Sequence, residues 1–421
     1  MTDVELQNRK LKELLAYLAE HSPFYQRVFK RNQLNVDNVN CAEDLSKIPF
    51  TAKEDLQEHT ADFICVPRNK LADYITTSGT TGKPVTLAST AADLERLALN
   101  EYTSFVTAGV TSEDVIQLMT TMDRRFMAGL AYFLGAQKLG AGFARVGNGI
   151  PELQWDTIRD IRPSVIICVP SFILRLIEFA DANGIDFKNS SVKKAICIGE
   201  AIRNPDFTLN TLGQKIAQKW DIQLYSTYAS SEMATAFTEC DAFAGGHLQP
   251  ELLIAEIIGE DDRPVKDGQA GELVITTLGI EGMPLLRFKT GDICIAHSQA
   301  CICGRKSLRL SPILGRKKQM IKYKGTSLYP TALYDILEGI EAVQNYQVEV
   351  ATNDMGTDEI TINIGIQNHA RSGDLGIGDV FRAKLRVVPK LVFLSPSEVT
   401  RLLLPENSRK PLKFIDKRRG Y

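Results

Sequence analysis

The 421-residue sequence predicts an α/β protein with a large N-terminal lobe, a β-rich part within that lobe, and a smaller α+β domain at the C-terminus. Between residues 90 and 225, helical patterns alternate with the short apolar runs VIQLM, SVIICV and AICI, which is typical of parallel strands joined by crossover helices. From residue 252, LIAEII, LVITTL and ICIAH alternate with turn-rich segments and predict hairpin-linked strands. After residue 318, YQVEVAT and EITINIGI predict strands and GDVFRAKLRVV predicts a helix. We therefore place one domain at 1–317, with its β-rich part at about 235–315, and a second at 318–421.

The chain opens with an amphipathic pattern. Residues 4–20 place leucines at helical spacing, and Ser22-Pro23 predicts the end of that helix. Because this segment is charged throughout, it lacks the basic start and apolar stretch of a secretory signal. The longest apolar run, 165–174, contains Pro170 and is too short to span a bilayer. We therefore expect a cytoplasmic protein without a membrane partner.

The composition excludes several classes of protein. Lys and Arg number 49 against 51 Asp and Glu, and 44% of the residues are hydrophobic, which argues against general disorder and against a broad nucleic-acid-binding surface. Eight cysteines in 421 residues are too few for a disulfide scaffold. Cys168 and Cys197 stand in apolar contexts, where we expect small buried side chains in a reducing compartment.

The most informative motif is TTSGTTGKP at residues 76–84. Its small residues allow backbone N–H groups to approach phosphate oxygens, and Lys83 supplies positive charge, so a polyphosphate is the expected ligand. The motif is not a Walker loop, because Thr77 and Pro84 stand where that loop needs Gly and Ser or Thr. Taken alone, the motif also fits a solvated turn.

Three further segments follow predicted strands or turns. Gly199 to Ala201 follow AICI, and loops after parallel strands line ligand crevices. Tyr228 to Glu232, the sequence YASSE, combine hydroxyls with a carboxylate suited to Mg²⁺. Asp292 follows a turn and offers an acceptor for ribose hydroxyls. Each segment taken singly fits a surface turn, so the interpretation depends on their combination.

Together and in this order, these motifs resemble those of the adenylate-forming superfamily of acyl-CoA synthetases, and within it the phenylacetate-CoA ligase family. SPFYQRVF, IPFTAKEDL, MAGLAYFLGAQKLGA and the short chain are similar to that family. The resemblance covers nearly the whole chain and implies the adenylate-forming fold with a mobile C-terminal domain. It also implies that a carboxylic acid is activated by ATP as acyl-AMP and transferred to coenzyme A, with release of pyrophosphate and AMP.

The resemblance also implies roles for individual residues. Ser78 to Lys83 would hold the ATP phosphates, Gly199 to Ala201 would border adenine, and Asp292 with Arg316 would bind ribose. The implied ATP-binding residues are Ser78, Gly79, Thr80, Thr81, Gly82, Lys83, Gly199, Glu200, Ala201, Tyr228, Ala229, Ser230, Ser231, Asp292 and Arg316.

Three residues are implied to be catalytic: Lys410, Glu232 and Thr81. Glu232 would hold Mg²⁺, and Lys410 would be the adenylation lysine in NSRKPLKF. A carboxylate attacking the α-phosphate brings like charges together, and a lysine with Mg²⁺ offsets that repulsion. Relatives usually have glycine before this lysine, where Arg409 stands here, and Lys413 is a second candidate for the role.

The resemblance places a hinge at Lys318 and the coenzyme A-binding strand at Lys322, Lys324 and Gly325. The segment 316–324 carries five positive charges with no acid between them, which suits the phosphates of coenzyme A. A solvated basic face is the alternative interpretation of these charges.

The implied acid is an aryl acid, either phenylacetate or a related arylalkanoate. Tyr132 and Phe133 are candidates for an aromatic wall of the acyl pocket, and equally for core positions. The family segment that usually reads like HYGAE has Phe133, Leu134 and Gln137 in place of His, Tyr and Glu.

A second constellation comprises Cys240, His247, Cys301 and Cys303. Three thiolates and an imidazole make a complete tetrahedral zinc set with no open position, which would be structural. Free cysteines are the alternative, and Cys294 or His297 are substitutes for a misassigned ligand. The resemblance favours the metal, since relatives carry residues of the same types there.

Two other functions stay open at this stage. In the first, the enzyme loads the adenylated acid onto a carrier-protein thiol instead of coenzyme A. In the second, the chain is a nucleotide-binding regulator without ligase activity. The resemblance also suggests a homodimer.

Overall fold

A computed structural model of the protein describes residues 2–77, 84–324, 326–353, 357–366, 376–404 and 411–418. The chain divides into two compact units. The first comprises Met1–Leu209, Gly213–Thr290 and Cys294–Ile313. The second comprises Asn210–Leu212, Gly291–Ile293 and Leu314–Tyr421.

The chain up to residue 313 alternates helices and strands. Its α-helices are α1 (Asp3–His21), α2 (Pro23–Arg31), α3 (Lys53–Glu58), α4 (Ala91–Thr107), α5 (Met127–Leu139), α6 (Pro151–Ile161), α7 (Pro170–Asn183) and α8 (Thr211–Lys219). Its strands are β1 (Leu71–Thr76), β2 (Thr86–Thr90), β3 (Val115–Leu118), β4 (Gly142–Arg145), β5 (Val165–Cys168), β6 (Lys194–Cys197), β7 (Gln223–Ser230), β8 (Thr235–Thr238), β9 (Gly246–His247), β10 (Leu253–Ile258), β11 (Ala270–Thr277), β12 (Phe288–His297) and β13 (Arg309–Leu310). Short 3₁₀ helices span Val36–Asn38, Ala42–Lys47, Thr60–Phe63 and Arg68–Lys70.

The predicted opening helix is confirmed as α1. Thr2 and Glu5 form a capping box at its start, which satisfies backbone N–H groups that the first turn leaves without partners. Four leucines face the core: Leu11, Leu14, Leu15 and Leu18. At Ser22 the chain leaves α1, and the same residue caps α2, where proline occupies the first turn.

The main sheet confirms the predicted parallel strands and crossover helices. Its strand order is β10-β11-β12-β13-β9-β8-β7-β6-β5-β3-β4. The pairs β7–β6, β6–β5, β5–β3 and β3–β4 are parallel. The apolar runs are buried, and Cys168 and Cys197 are fully buried as expected.

The β-rich part begins at the reversal after β7, because β7 and β8 pair antiparallel. Antiparallel pairing also joins β8 to β9, β9 to β13, β13 to β12 and β10 to β11. The predicted hairpin texture of this part is therefore confirmed. Its apolar side chains share one core with α1 and α2.

Helix α4 buries polar residues beside the apolar residues Leu97, Ala98 and Phe105. The buried polar residues recur at helical spacing: Asp93, Arg96, Asn100, Glu101, Ser104 and Thr107. Buried polar groups normally require hydrogen-bond partners, and these are found in strands and loops far along the sequence.

The second unit is an α+β domain, as predicted for the C-terminal part of the chain. Its elements are β14 (Gly315–Arg316), a 3₁₀ helix (Lys317–Gln319), β15 (Ile321–Tyr323), β16 (Thr326–Leu328), α9 (Pro330–Glu338), β17 (Asn345–Thr352), β18 (Asp358–Gly365), α10 (Ile377–Leu385), β19 (Lys390–Leu394), α11 (Pro396–Leu403) and β20 (Phe414–Asp416). A four-stranded sheet has the order β19-β18-β17-β20. Strands β15 and β16 form a separate hairpin.

Candidate active site and thiol–imidazole cluster

Parallel strands β3, β5, β6 and β7 direct the loops that follow them to one edge of the sheet, where ligands of α/β proteins bind. Gly199 follows β6 in the left-handed region, with φ of 76°. An added Cβ there would meet no atom closer than 3.9 Å, so the backbone angle and not space requires glycine. The predicted Gly199–Ala201 segment therefore lies in a sharp turn at this edge.

Glu200 anchors that turn. Its carboxylate accepts hydrogen bonds from the backbone N–H of Ser171, at 2.9 Å, and from the Ser171 hydroxyl, at 3.1 Å. Ser171 lies in the first turn of α7, where free N–H groups and the helix dipole favour an anion. The side chain of Glu200 thus holds the loop in place.

The segment predicted to hold magnesium ends β7. Tyr228 and Ser230 belong to that strand and pair with Phe237 and Thr235 of β8. The backbone N–H of Ala234 donates to the Ser230 carbonyl at 3.2 Å, closing a tight turn around Glu232. Glu232 is half-buried at this turn.

The predicted phosphate loop, Ser78 to Lys83 with Thr81, lies outside the described residues, but the residues on either side of it are described. Thr77 donates its backbone N–H to the Val85 carbonyl at 2.9 Å, and the Val85 N–H donates to the Thr77 hydroxyl at 3.0 Å. The loop therefore connects the two paired strands of the β1–β2 hairpin. Thr76 donates its N–H to the Arg125 carbonyl, which ties the hairpin to the loop after β3.

The predicted ribose pair is brought together within the second unit. Asp292 and Arg316 are direct cross-strand partners of β12 and β14. The Arg316 Nε lies 3.3 Å from an Asp292 carboxylate oxygen, and Asp292 is almost fully buried. The antiparallel pairing of β12 with β14 brings these two residues together although they are distant in sequence.

Lys318 lies in the 3₁₀ helix that precedes β15, and Arg418 holds that segment in place. The Arg418 guanidinium donates to the Lys318 carbonyl at 3.0 Å and to the Met320 carbonyl at 2.7 Å. The Lys322 N–H donates to Asp358, which also pairs with Arg418. The segment from Lys318 to Lys322, which we call the linker segment, is therefore hydrogen-bonded to other parts of the second unit.

Lys322, on β15, and Lys324, directly after it, are both exposed. The Lys324 backbone is left-handed, with φ of 48°, and its ammonium lies 4.9 Å from the centre of the Tyr323 ring. Gly325 and Lys410 lie outside the described residues. Lys413 is described, and it pairs with Glu338 at 3.3 Å.

The two predicted aromatic wall residues have different neighbours. Tyr132 is buried in the core between helices and sheet, with its ring centre 6.2 Å from that of Phe105. Phe133 is half-buried, and its ring packs edge-on against Phe143 of β4 at 5.8 Å. Arg145 lies over the Phe133 ring. The structure thus places Tyr132 in the core and Phe133 against the sheet's edge strand.

The four predicted zinc ligands meet in the β-rich part. Their donor atoms all lie within 4.8 Å of one another. The Cys240 and Cys301 sulfurs are 3.7 Å apart, and the His247 Nε2 lies 3.4 Å from Cys240 and 3.6 Å from Cys303. Tetrahedral bonds of about 2.3 Å to sulfur place ligand atoms roughly 3.8 Å apart, so the donor set fits zinc. Cys294 and His297, the substitutes considered above, are not in this group.

Local turns bring these donors together. The Gly304 N–H donates to the Cys301 carbonyl, and Gly304 has φ of 89°, a left-handed angle that favours glycine. The His247 Nδ1 lies 3.3 Å from the Ser307 hydroxyl, which orients the ring so that Nε2 faces the thiols. Burial lowers the pKa of His247 to about 4, so its imidazole is neutral, as a metal ligand must be.

Sequence analysis missed a buried ion pair that joins Arg203, shortly after the Gly199–Ala201 turn, to Glu239, directly before Cys240. Arg203 donates through Nε to both Glu239 carboxylate oxygens at 2.9 Å, and Glu239 also accepts the Ser226 N–H. The Arg203 guanidinium further donates to the Leu224 carbonyl of β7. The available signal was the position of Glu239 directly before the cluster residue Cys240.

Comparison with known proteins identifies the family to which this chain belongs. The profile of the AMP-binding enzyme family matches residues 17–281. The phenylacetate-coenzyme A ligase of Thermus thermophilus is 33% identical over 351 residues, covering 82% of this chain and 77% of the relative. That of Escherichia coli is 29% identical, covering 82% and 78%.

The chain belongs to the phenylacetate-CoA ligase family of AMP-binding enzymes. It is therefore an AMP-forming acid–CoA ligase that works through an acyl-AMP, as the sequence predicted.

Solved structures show the same fold. A 2-hydroxyisobutyryl-CoA ligase in complex with 2-HIB-AMP superposes with a TM-score of 0.83 at 21% identity, covering 98% of this chain and 89% of that one. An ATP-bound MatB from Rhodopseudomonas palustris gives 0.60 at 16% identity, covering 83% and 68%. The predicted adenylate-forming fold is thus confirmed. Among the described residues, no helix combines the length and apolarity needed to cross a membrane.

Proposed function

We propose that this ligase activates an aryl acid, phenylacetate or a related arylalkanoate, as acyl-AMP and transfers the acyl group to coenzyme A. The observation that carries the proposal is the similarity to phenylacetate-CoA ligases along four-fifths of the chain, together with the loops gathered at one sheet edge. Phe133, which is half-buried and packs against Phe143 of the outermost strand β4, is the proposed aromatic residue of the acyl pocket.

For the first step, Ser78 to Lys83 would hold the phosphates and Glu232 would hold magnesium. Gly199 to Ala201 would border adenine, and Asp292 with Arg316 would bind ribose. A bound magnesium ion would offset phosphate charge. Lys410 would stabilise the charge that develops as the carboxylate attacks the α-phosphate, because a cation placed there lowers the barrier electrostatically.

For the second step, we propose that the C-terminal domain moves about Lys318 and presents Lys322, Lys324 and Gly325 to coenzyme A. The exposure of both lysines and the binding of the linker backbone by Arg418 support this role. Water must be excluded between the steps, since the mixed anhydride hydrolyses readily. We also propose that the protein is cytoplasmic and that it forms a homodimer.

We also propose that Cys240, His247, Cys301 and Cys303 hold a structural zinc ion. The donor distances and the neutral imidazole fit a closed tetrahedral site. All four donors face one another, so no position is left for a substrate, and the ion would stabilise the fold without entering the reaction.

The test is mass spectrometry of CoA thioesters after incubation with Mg-ATP, coenzyme A and a mixture of arylacetic, benzoic, cinnamic, indoleacetic and short fatty acids. We expect one aryl-CoA product with an equal amount of AMP. A fatty acyl-CoA product would contradict the aryl assignment, and AMP with transfer only to a carrier-protein thiol would contradict the acceptor.

A variant of Lys410 tests whether this lysine serves only the adenylation step. Lys410→Ala should lose acid-dependent pyrophosphate release but still form thioester from supplied acyl-AMP, because only the first step needs this lysine. Equal loss in both half-reactions would refute that assignment. Lys413→Ala tests the second candidate, because loss of acid-dependent pyrophosphate release in this variant alone would assign the role to Lys413.

A further inference from the structure

Arg96 is a buried arginine to which none of the roles described above has been assigned. It lies on α4, its side chain faces the interior, and only 7% of the residue is exposed. In the described part of the chain, its guanidinium makes four hydrogen bonds, all to neutral oxygen atoms. A buried cation without a hydrogen-bonded carboxylate is costly, so a role for it is expected.

Two of these hydrogen bonds hold the end of the turn around Glu232. Arg96 donates to the Ala234 carbonyl at 2.8 Å and to the Thr235 hydroxyl at 3.1 Å. Ala234 has φ of 44°, a left-handed angle that a residue with a Cβ seldom adopts and that its surroundings must maintain. Arg96 binds this strained residue directly.

The other two bonds fix the guanidinium to the β-rich part. Nε donates to the Leu278 carbonyl at 2.6 Å, and a terminal nitrogen donates to the Leu252 carbonyl at 2.6 Å. A planar guanidinium can address four acceptors in fixed directions, whereas an ammonium on a flexible stem cannot. The turn is therefore tied through one side chain to α4 and to the residues flanking β10 and β11.

A neighbouring side chain extends the same support. The Asn100 side-chain oxygen, one helical turn after Arg96, accepts the Ala236 N–H at 2.8 Å. Burial lowers the pKa of Arg96 to about 10, and the nearby Asp93 and Glu251 act in the opposite direction. Arg96 therefore remains charged at neutral pH.

We propose that Arg96 is a positioning residue for the metal-holding carboxylate: by holding Ala234 and Thr235 it fixes the turn that presents Glu232 to magnesium-bound ATP. The inference rests on the proposed role of Glu232. Arg96 itself touches neither ATP nor acid in this role.

The test measures ATP binding by calorimetry at a series of Mg²⁺ concentrations, in wild type and Arg96→Lys. Wild type should bind ATP more tightly as Mg²⁺ rises. Arg96→Lys should lose at least about fivefold of that enhancement, because lysine cannot keep all four bonds, while ATP affinity without Mg²⁺ stays within about twofold. A residue that only stabilised the fold would leave the Mg²⁺ dependence unchanged.

Two further variants keep the test decisive. Trp155→Phe removes a buried hydrogen bond to the Leu176 carbonyl, between α6 and α7, and serves as the stability control with normal Mg²⁺ enhancement. Thr235→Val removes one acceptor of Arg96 together with the hydroxyl's own hydrogen bond to the Met233 carbonyl in the same turn. It should show the same loss to a smaller degree even where Arg96→Lys fails to fold.

The outcomes separate the two proposals. Full Mg²⁺ enhancement in both turn variants, with acid-dependent pyrophosphate release in wild type, overturns the role of Arg96 alone. A wild type with neither pyrophosphate release nor Mg²⁺-dependent ATP binding overturns the proposed function and this inference together.

Discussion

Two regions of the first unit hold polar groups in opposite ways. We call the loops after β6 and β7, with Gly199–Ala201 and Tyr228–Glu232, the ligand edge, and the four residues Cys240, His247, Cys301 and Cys303 the thiol–imidazole cluster. In the cluster, every donor atom faces the other donors within 4.8 Å. At the ligand edge, the backbone is fixed from behind by Glu200 and Arg96. The difference is the one expected between the proposed closed site for a structural ion and the proposed site for exchanging ligands.

The ion pair of Arg203 and Glu239 connects the two regions. Glu239 directly precedes Cys240 of the cluster, and Arg203 lies two residues after Ala201 of the ligand edge. Both side chains are buried, with 7% and 2% of their surface exposed. Variants in the cluster, in the connecting ion pair and on α4 therefore test how the two regions differ.

The largest expected effect is at the cluster. Cys240→Ser should remove about one zinc ion per chain and lower the free energy of unfolding by about 3 kcal/mol or more, because a structural ion contributes its binding energy to folding. Turnover at 20 °C should remain within a few fold, as no cluster residue serves a substrate. Metal analysis, thermal unfolding and kinetics measure these three results.

Cys65→Ser is the matched control, since it alters a buried thiol outside the cluster. It should retain zinc. Freshly purified wild-type protein without zinc would remove the metal assignment.

The connecting pair should affect both regions. Glu239→Gln leaves the buried Arg203 charge without its carboxylate, and we expect a loss of about 3 kcal/mol in unfolding free energy. Because Arg203 follows the loop proposed to border adenine, KM for ATP should also rise severalfold. Denaturant unfolding and steady-state kinetics measure the two effects, and an unchanged KM would show that the ligand edge is independent of the pair.

A further expected effect is a pH dependence of stability that arises on α4. Burial raises the pKa of Glu101 to about 8, so the native state holds a proton that the unfolded chain releases near pH 4.5. Stability should therefore fall as pH rises from about 5 to 8. Glu101→Gln should remove that slope, because a glutamine side chain does not titrate.

Denaturant unfolding at pH 5, 6.5 and 8 checks this difference between variant and wild type. The nearby Tyr132 stays neutral throughout, because burial raises its pKa well above the usual value. Parallel stability profiles for the two proteins would contradict the prediction.

Much of the fold followed from local pattern. Leucine spacing in α1 and the buried runs of β3, β5 and β6 are properties of neighbouring residues, and periodicity reports them directly. The four cluster residues were also identified in advance, because cysteine and histidine have few common roles. The polar face of α4 was not anticipated, although polar residues at helical spacing mark it.

The sequence by itself determined the order of motifs, the family, and the type of chemistry, because these depend on residue identity. Only the tertiary structure decided that Arg96 reaches Ala234, 138 residues away, and that Cys240 meets Cys301, 61 residues away. Local patterns specify each element, but contacts between distant residues depend on how the elements pack and on where the buried polar groups find partners. The supports behind the ligand edge are therefore visible only in the folded chain.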